Sequence, residues 1–94
     1  MYVTIRKYSG TGDPKEINRV CMAELLPILE KVSGFKSYTT VELGRDAVMS
    51  IGIFDSKASA EAANASAREM IGRHLAKLLP NPPEIIVGEI LGQG

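Results

Sequence analysis

The sequence predicts an α+β domain whose elements run strand, helix, strand, strand, helix, strand. Three observations carry that order. Residues 2–8 alternate along a β-branched and aromatic run, and two long segments with helical apolar spacing each follow an extended one. A Gly44-Arg45-Asp46 break splits the middle extended stretch into a hairpin. At 94 residues the chain has room for one modest core, so residues 1–94 are read as a single domain.

In the first strand Val3 and Ile5 fall on one side, with Tyr2, Thr4, Arg6 and Tyr8 on the other. Ser9-Gly10-Thr11-Gly12 is turn-forming. Asp13-Pro14-Lys15-Glu16 then supplies an N-cap, a proline at the first helical position and a glutamate spaced to close a capping box. Ile17, Val20, Cys21, Leu25, Ile28 and Val32 recur at helical spacing as the core stripe of the first helix. Pro27 removes one backbone donor inside it, so a kink or rearrangement is expected there, and Gly34 is a natural stop. Phe35 to Leu43 and Ala47 to Phe54 read as the hairpin strands. Asp55 or Ser56 can cap a second, alanine-rich helix from Lys57 to Leu79, which Pro80-Asn81-Pro82-Pro83 ends. Glu84 to Leu91 is the last strand, before a Gly92-Gln93-Gly94 tail.

Eleven basic residues balance eleven acidic ones, so no global field draws the protein to nucleic acid or to an anionic membrane, and neither is expected as a partner. Cys21 is the only cysteine, which excludes an internal disulfide and a thiolate metal cluster within one chain and suits a reducing, cytoplasmic setting. The first residues lack the apolar core of a signal peptide, and no segment approaches the roughly 18 to 20 apolar residues of a membrane span.

Two helices that each connect strands suggest a ferredoxin-like βαββαβ arrangement, with a four-stranded antiparallel sheet covered on one face. The other face is not plainly polar. Met49, Ile51 and Ile53 line one side of the third strand while Val48 and Phe54 line the other. In the last strand Ile85, Val87 and Leu91 oppose Ile86 and Ile90. Both faces need cover and the helices serve one, so a homodimer formed through the sheets is expected.

His74 is the only histidine. At about 100° per residue it falls in the apolar stripe of Ala60, Ala63, Ala67, Met70, Ile71 and Leu78, on the side expected to face the sheet. There it would border an apolar cavity as a general base or ligand contact, unless it is a core or rim histidine bonded to a neighbouring polar group. Tyr38 is a second candidate for the same lining, as a ligand-binding residue. Tyr2, Arg6 and Tyr8 are the other polar groups on strands able to line a pocket, although such residues are often simply packed amphipathic side chains. Cys21 lies in the buried stripe as a small hydrophobe. Gly10-Thr11-Gly12 lacks the lysine-serine pattern and spacing of a phosphate loop and reads as a turn. The charges Glu61, Arg68, Glu69, Arg73 and Lys77 read as a solvated helix face.

Several segments together resemble a known pattern. They are Pro27 followed by Gly34-Phe35 and Tyr38, the Phe54-Asp55-Ser56 entry to an alanine-rich helix, and Leu78-Leu79-Pro80-Asn81-Pro82-Pro83 leading into Gly88-Glu89. Over essentially its whole length the chain resembles the dimeric α/β-barrel superfamily, and within it small antibiotic-biosynthesis-monooxygenase-like domains. That resemblance implies two sheets packed across a dimer interface and a ligand pocket between each sheet and its own helices. Members include cofactor-independent oxygenases, haem-degrading enzymes, isomerases and proteins with no known activity. The haem-degrading pattern of a first-strand asparagine, a tryptophan and a second-helix histidine is met here only by His74. Two functions fit: a cofactor-independent monooxygenase-like enzyme acting on a small aromatic or polyketide-like substrate, or a non-catalytic small-molecule-binding or structural homodimer. No cofactor and no metal is expected in either, and the partner beyond a second copy is a small apolar or aromatic ligand.

Overall fold

The first strand, β1 (Tyr2–Ser9), is the centre on which the fold is assembled, because it pairs on both edges. A computed structural model describes residues 1–94. β1 runs antiparallel to β3 (Ala47–Phe54) on one side and to β4 (Glu84–Glu89) on the other, and β2 (Phe35–Glu42) completes the sheet against β3. The strand order is therefore β2-β3-β1-β4, the four-stranded antiparallel ferredoxin-like arrangement expected from the sequence. The last strand is two residues shorter than its apolar run suggested. Ile90 still donates to the Met1 carbonyl at 2.8 Å, but Leu91 stands in solvent.

The helical layer between β1 and β2 comes in three pieces: α1 (Pro14–Val20), a π-turn (Cys21–Leu25) and α2 (Leu26–Leu29). Asp13 caps it by accepting from the Lys15 amide at 3.1 Å. Glu16 does not close the expected capping box, because its carboxylate is engaged by Arg19 one turn on. The rearrangement expected at Pro27 is the π-turn just before it. There the Leu26 amide reaches the Cys21 carbonyl five residues back, a widened turn that leaves room where an α-helix would press a proline ring into the preceding carbonyl.

α3 (Lys57–His74) starts at Ser56, whose hydroxyl accepts from the Ser59 amide at 3.2 Å, and is five residues shorter than the Lys57 to Leu79 span predicted. Good helix formers continue past His74 in Leu75-Ala76-Lys77-Leu78-Leu79, but Leu75 leaves helical geometry (φ −127°, ψ 8°) and turns into the core, where it is only 1% exposed. Burying that leucine outweighs one more turn of solvated helix. Ala60, Ala63 and Ala67 form the face that meets the sheet, and their small side chains allow close approach to the buried Phe54.

Sheet register decides which residues meet the helices. Residues opposite one another share a face, so Thr4, Arg6 and Tyr8 of β1 align with Gly52, Ser50 and Val48 of β3, and Ser50 and Gly52 align with Thr40 and Tyr38 of β2. Thr4, Arg6, Tyr8 and Val48 are all buried under the helices. The outer face carries Val3 and Ile5 beside Ile53 and Ile51, with Ile86 next to Ile5. The helices thus cover the more polar side of β1. No helix is long and apolar enough to cross a membrane.

Gly34 closes the first helical layer with φ +87°, and a Cβ there would stand 1.8 Å from the Asp55 carboxylate oxygen. Gly34→Ala is expected to cost about 2 kcal/mol or more, from left-handed strain plus displacement of Asp55. Urea unfolding reads this directly. A loss below about 0.5 kcal/mol would mean that the turn relaxes freely.

Candidate functional site

The residues that line the main cavity are placed by three local rules. Alternation along β1 sends Arg6 and Tyr8 to the helix side, and register across β3 and β2 sets Ser50, Thr40 and Tyr38 beside them. The π-turn then presents Cys21 and Leu25 from above. These groups enclose a cavity of about 260 Å³ between the sheet and the first helical layer, with Ile17, Val48, Ile71 and Leu79 among its apolar walls. Asn18 holds its rim, accepting a hydrogen bond from the Thr40 hydroxyl.

Arg6 is the electrostatic centre. It is 6% exposed, and its Nη2 donates to the Tyr8 hydroxyl at 2.7 Å, while its Cζ lies 5.8 Å from the centre of the same ring. Its Nε has no partner. The three ion pairs of the chain, Glu16–Arg19, Lys57–Glu61 and Glu69–Arg73, are all short-range surface contacts, and none reaches Arg6. A buried cation without a carboxylate costs several kcal/mol (order of magnitude). The Tyr8 hydroxyl returns about 1.5–3 kcal/mol, as hydrogen bonds to charged groups do. Nε is enclosed, so the terminal nitrogens are what the guanidinium has left to bind an acceptor in the cavity.

The other titratable groups beside it are held in their protonated forms. Burial pushes the Tyr8 phenol up, against the opposing pull of Arg6. Burial likewise raises the Cys21 thiol, with Tyr38 and then Arg6 working the other way. Tyr38 is pushed far up, first by burial and then by the neighbouring Cys21 sulfur. At neutral pH this cluster therefore offers hydrogen-bond donors and one fixed positive charge, and no thiolate nucleophile.

His74 is not at this cavity. It is exposed at the last position of α3, in a surface groove beside Glu24, Ile28 and Arg73 on the outer sides of the two helical layers. The expectation that it faces the sheet is corrected for a simple reason: the helix stops there, and the inward turn of Leu75 takes the core position that the periodicity assigned to the histidine's stripe. Tyr38 does line the cavity. Asn18 and Ser50 were not distinguished by the sequence reading, and Cys21 was read only as a core residue. The available signal was the shared side of Thr4, Arg6 and Tyr8, which becomes informative only once the helices are known to cover that side.

No protein-family model and no curated protein sequence matches the chain. Solved structures do match. A protein of unknown function from Nitrosomonas europaea superposes with a TM-score of 0.78 at 20% identity, over 99% of this chain and 91% of that one. SnoaB, a cofactor-independent oxygenase from Streptomyces nogalater, gives 0.75 at 14% identity, over 98% and 94%. A monooxygenase from Streptomyces coelicolor, solved in complex with nanaomycin D, gives 0.66 at 20% identity, over 98% and 92%. The chain has the antibiotic-biosynthesis-monooxygenase-like fold. At these identities the likeness is one of fold.

The pKa directions fix an alkaline signature. Cys21, Tyr8 and Tyr38 bind their protons more tightly folded than unfolded, so their stabilisation is complete below their ordinary values of 9.0 and 10.0 and is lost as pH rises above them. The melting temperature is expected to fall from about pH 9 upward, and Tyr8→Phe with Tyr38→Phe to flatten that slope. In the native protein at pH 8, iodoacetamide should modify Cys21 far more slowly than in urea. Equal rates would show an accessible thiol instead.

Proposed function

We propose that the chain is a cofactor-independent monooxygenase-like enzyme whose substrate is a small aromatic or polyketide-like phenol bound in the 260 Å³ cavity. The observation that carries this reading is Arg6, a buried guanidinium in no ion pair, facing a cavity whose other charged lining residues, Lys15 and Glu42, make no salt bridge to it. The fold neighbours that are described as oxygenases support the reaction class. The volume lies just below the roughly 300–1,000 Å³ of ordinary ligand pockets, which favours a substrate of one or two rings.

The chemistry follows from the charge. A phenol oxygen placed against the guanidinium ionises more readily, because the cation stabilises the phenolate. The phenolate is electron-rich and is itself the reductant for dioxygen. For a naphthol the overall change is a four-electron oxidation to the quinone. One oxygen atom becomes the second carbonyl, while the hydroxyl hydrogen and the ring hydrogen para to it leave with the other oxygen atom as water. Arg6 holds the anion, Tyr8 and Tyr38 orient it, and Ile17, Leu25 and Leu79 exclude water from the ring.

A second reading, a binder without turnover, is favoured by one specific feature: Tyr8, Cys21 and Tyr38 are all held protonated, so none of them serves as a general base. Oxygen uptake with 1-naphthol and related phenols separates the two. Turnover is expected, with Arg6→Met lowering kcat/KM about 100-fold and His74→Ala leaving it unchanged. Saturable binding with no oxygen consumption would establish the binder and sink the enzyme.

The outer sheet face bears on assembly. Val3, Ile5, Ile51, Ile53 and Ile86 form one apolar surface, and Ile86 is 49% exposed. We propose that two copies pack these faces together as a homodimer. Light scattering coupled to size exclusion should give twice the chain mass, and Ile86→Arg should shift it toward monomer while Lys77→Ala does not. A monomer mass for the unmodified protein at micromolar concentration would overturn this assembly.

A further inference from the structure

A second cavity, of about 350 Å³, lies between α3, β1, β4 and the turn at Pro80–Pro83. Arg6, Tyr8, Ile71 and Leu79 border both cavities and form the partition between them. The charge of the second is one-sided. Its ionic lining residues are Arg6 and Arg68, and no Asp, Glu or His lines it. Arg6 is more than nine-tenths buried, and its Nε lacks a partner. A guanidinium presents five N–H donors, and the Tyr8 hydroxyl uses only part of that fork.

A third donor is already oriented. Asn64 Oδ1 accepts from the Thr4 hydroxyl at 2.9 Å, which leaves the Asn64 amide nitrogen as the free end of that side chain beside the same cavity. The remaining walls are apolar and stiff. Ile71, Leu79 and Ile85 supply aliphatic surface, and Pro80, Pro82 and Pro83 restrict the turn, which Asn81 fastens to β1 by donating to the Ser9 carbonyl at 3.1 Å. Two cations, one buried (Arg6) and one exposed (Arg68), and an amide in the lining of a partly apolar cavity match a planar oxyanion attached to a ring, since guanidinium groups bind carboxylates in a bidentate fork.

We propose that this second cavity is a binding site for the carboxylate of a small aromatic acid, held by Arg6, Arg68 and the Asn64 amide. The site goes beyond the oxygenase reading and does not depend on it, because it concerns binding of a carboxylate and requires no turnover. Inorganic phosphate offers the same oxyanion chemistry without a ring. The apolar walls favour the aromatic acid.

Calorimetric titration of the full chain with benzoate, benzamide and inorganic phosphate tests the assignment. Benzoate is expected to bind about ten-fold more tightly than benzamide, the neutral isostere, as loss of a charge-assisted hydrogen bond predicts. Arg68 lines only the second of the two cavities, so Arg68→Met should weaken benzoate about ten-fold and leave benzamide unchanged. Arg6→Met should do the same, and its melting temperature reports whether the fold survives. Lys77→Met removes a charge outside this lining and should leave benzoate binding as it was. Equal affinity for benzoate and benzamide, an unaltered affinity in Arg68→Met, or no benzoate binding at about 10 mM would overturn the site. Tighter binding of phosphate than of benzoate would overturn the aromatic-acid assignment. None of these results bears on oxygen uptake with phenols, so the two readings fail separately.

Discussion

The structure depends on the burial of Arg6. A guanidinium on the covered side of the central strand prevents the helices from closing onto the sheet as they would over leucine or valine, because its polar atoms need acceptors and apolar walls offer none. The layers respond differently along the sheet. Toward Phe54, Ala60 and Ala63 bring α3 close, and the Thr4–Asn64 hydrogen bond joins strand to helix. Around Arg6, the long side chains Tyr8 and Tyr38 and the π-turn at Cys21 hold the layers apart, and cavities remain on both sides of the arginine. The voids are a consequence of where the charge sits.

That placement inverts the usual logic of a one-sided antiparallel sheet, in which the apolar face is covered and the polar face meets water. Here β1 turns Thr4, Arg6 and Tyr8 inward and Val3 and Ile5 outward. The inversion is balanced elsewhere in the covered layer, where Val48, Phe54, Leu25, Leu75 and the alanine face of α3 supply the apolar burial that β1 does not. The outer face is correspondingly apolar across three strands. One alternation pattern in one strand thereby sets both the polar cavity and the uncovered surface.

Much of the architecture was legible in the sequence, because the signals there are local. Asp13-Pro14, Ser56, Gly34 and the Gly44-Arg45-Asp46 break act through their own backbone and each works where the residue types say it should. Features that depend on competition between distant parts were less legible. The end of α3 is set by how much core Leu75 gains, which helix propensity does not contain, and so His74 was assigned to the wrong surroundings. Glu16 had two local partners available, the cap amide and Arg19, and the charge-assisted contact prevailed. Arg6 was visible as a polar residue on a strand, but its importance follows from which face the helices cover. Alternation alone gives two equivalent answers to that question, and only the packing of the whole layer chooses between them.

The chemistry available at the covered face is shaped by an asymmetry of charge. Burial disfavours ionisation of Tyr8, Cys21 and Tyr38, whereas Arg6 carries a charge that these surroundings do not neutralise. Ionising one of the three would form a favourable pair with Arg6, yet for each of them desolvation is the larger influence and the proton stays in place. Glu42, the one carboxylate in the lining, makes no ion pair with Arg6, so the cation stays unneutralised. A ligand that brings an anion, or a phenol that becomes one beside the guanidinium, supplies what the fold withholds. In the proposed function the unpaired cation is the selective element of the site, discriminating among aromatic ligands of similar size by the acidity of the group they present to it.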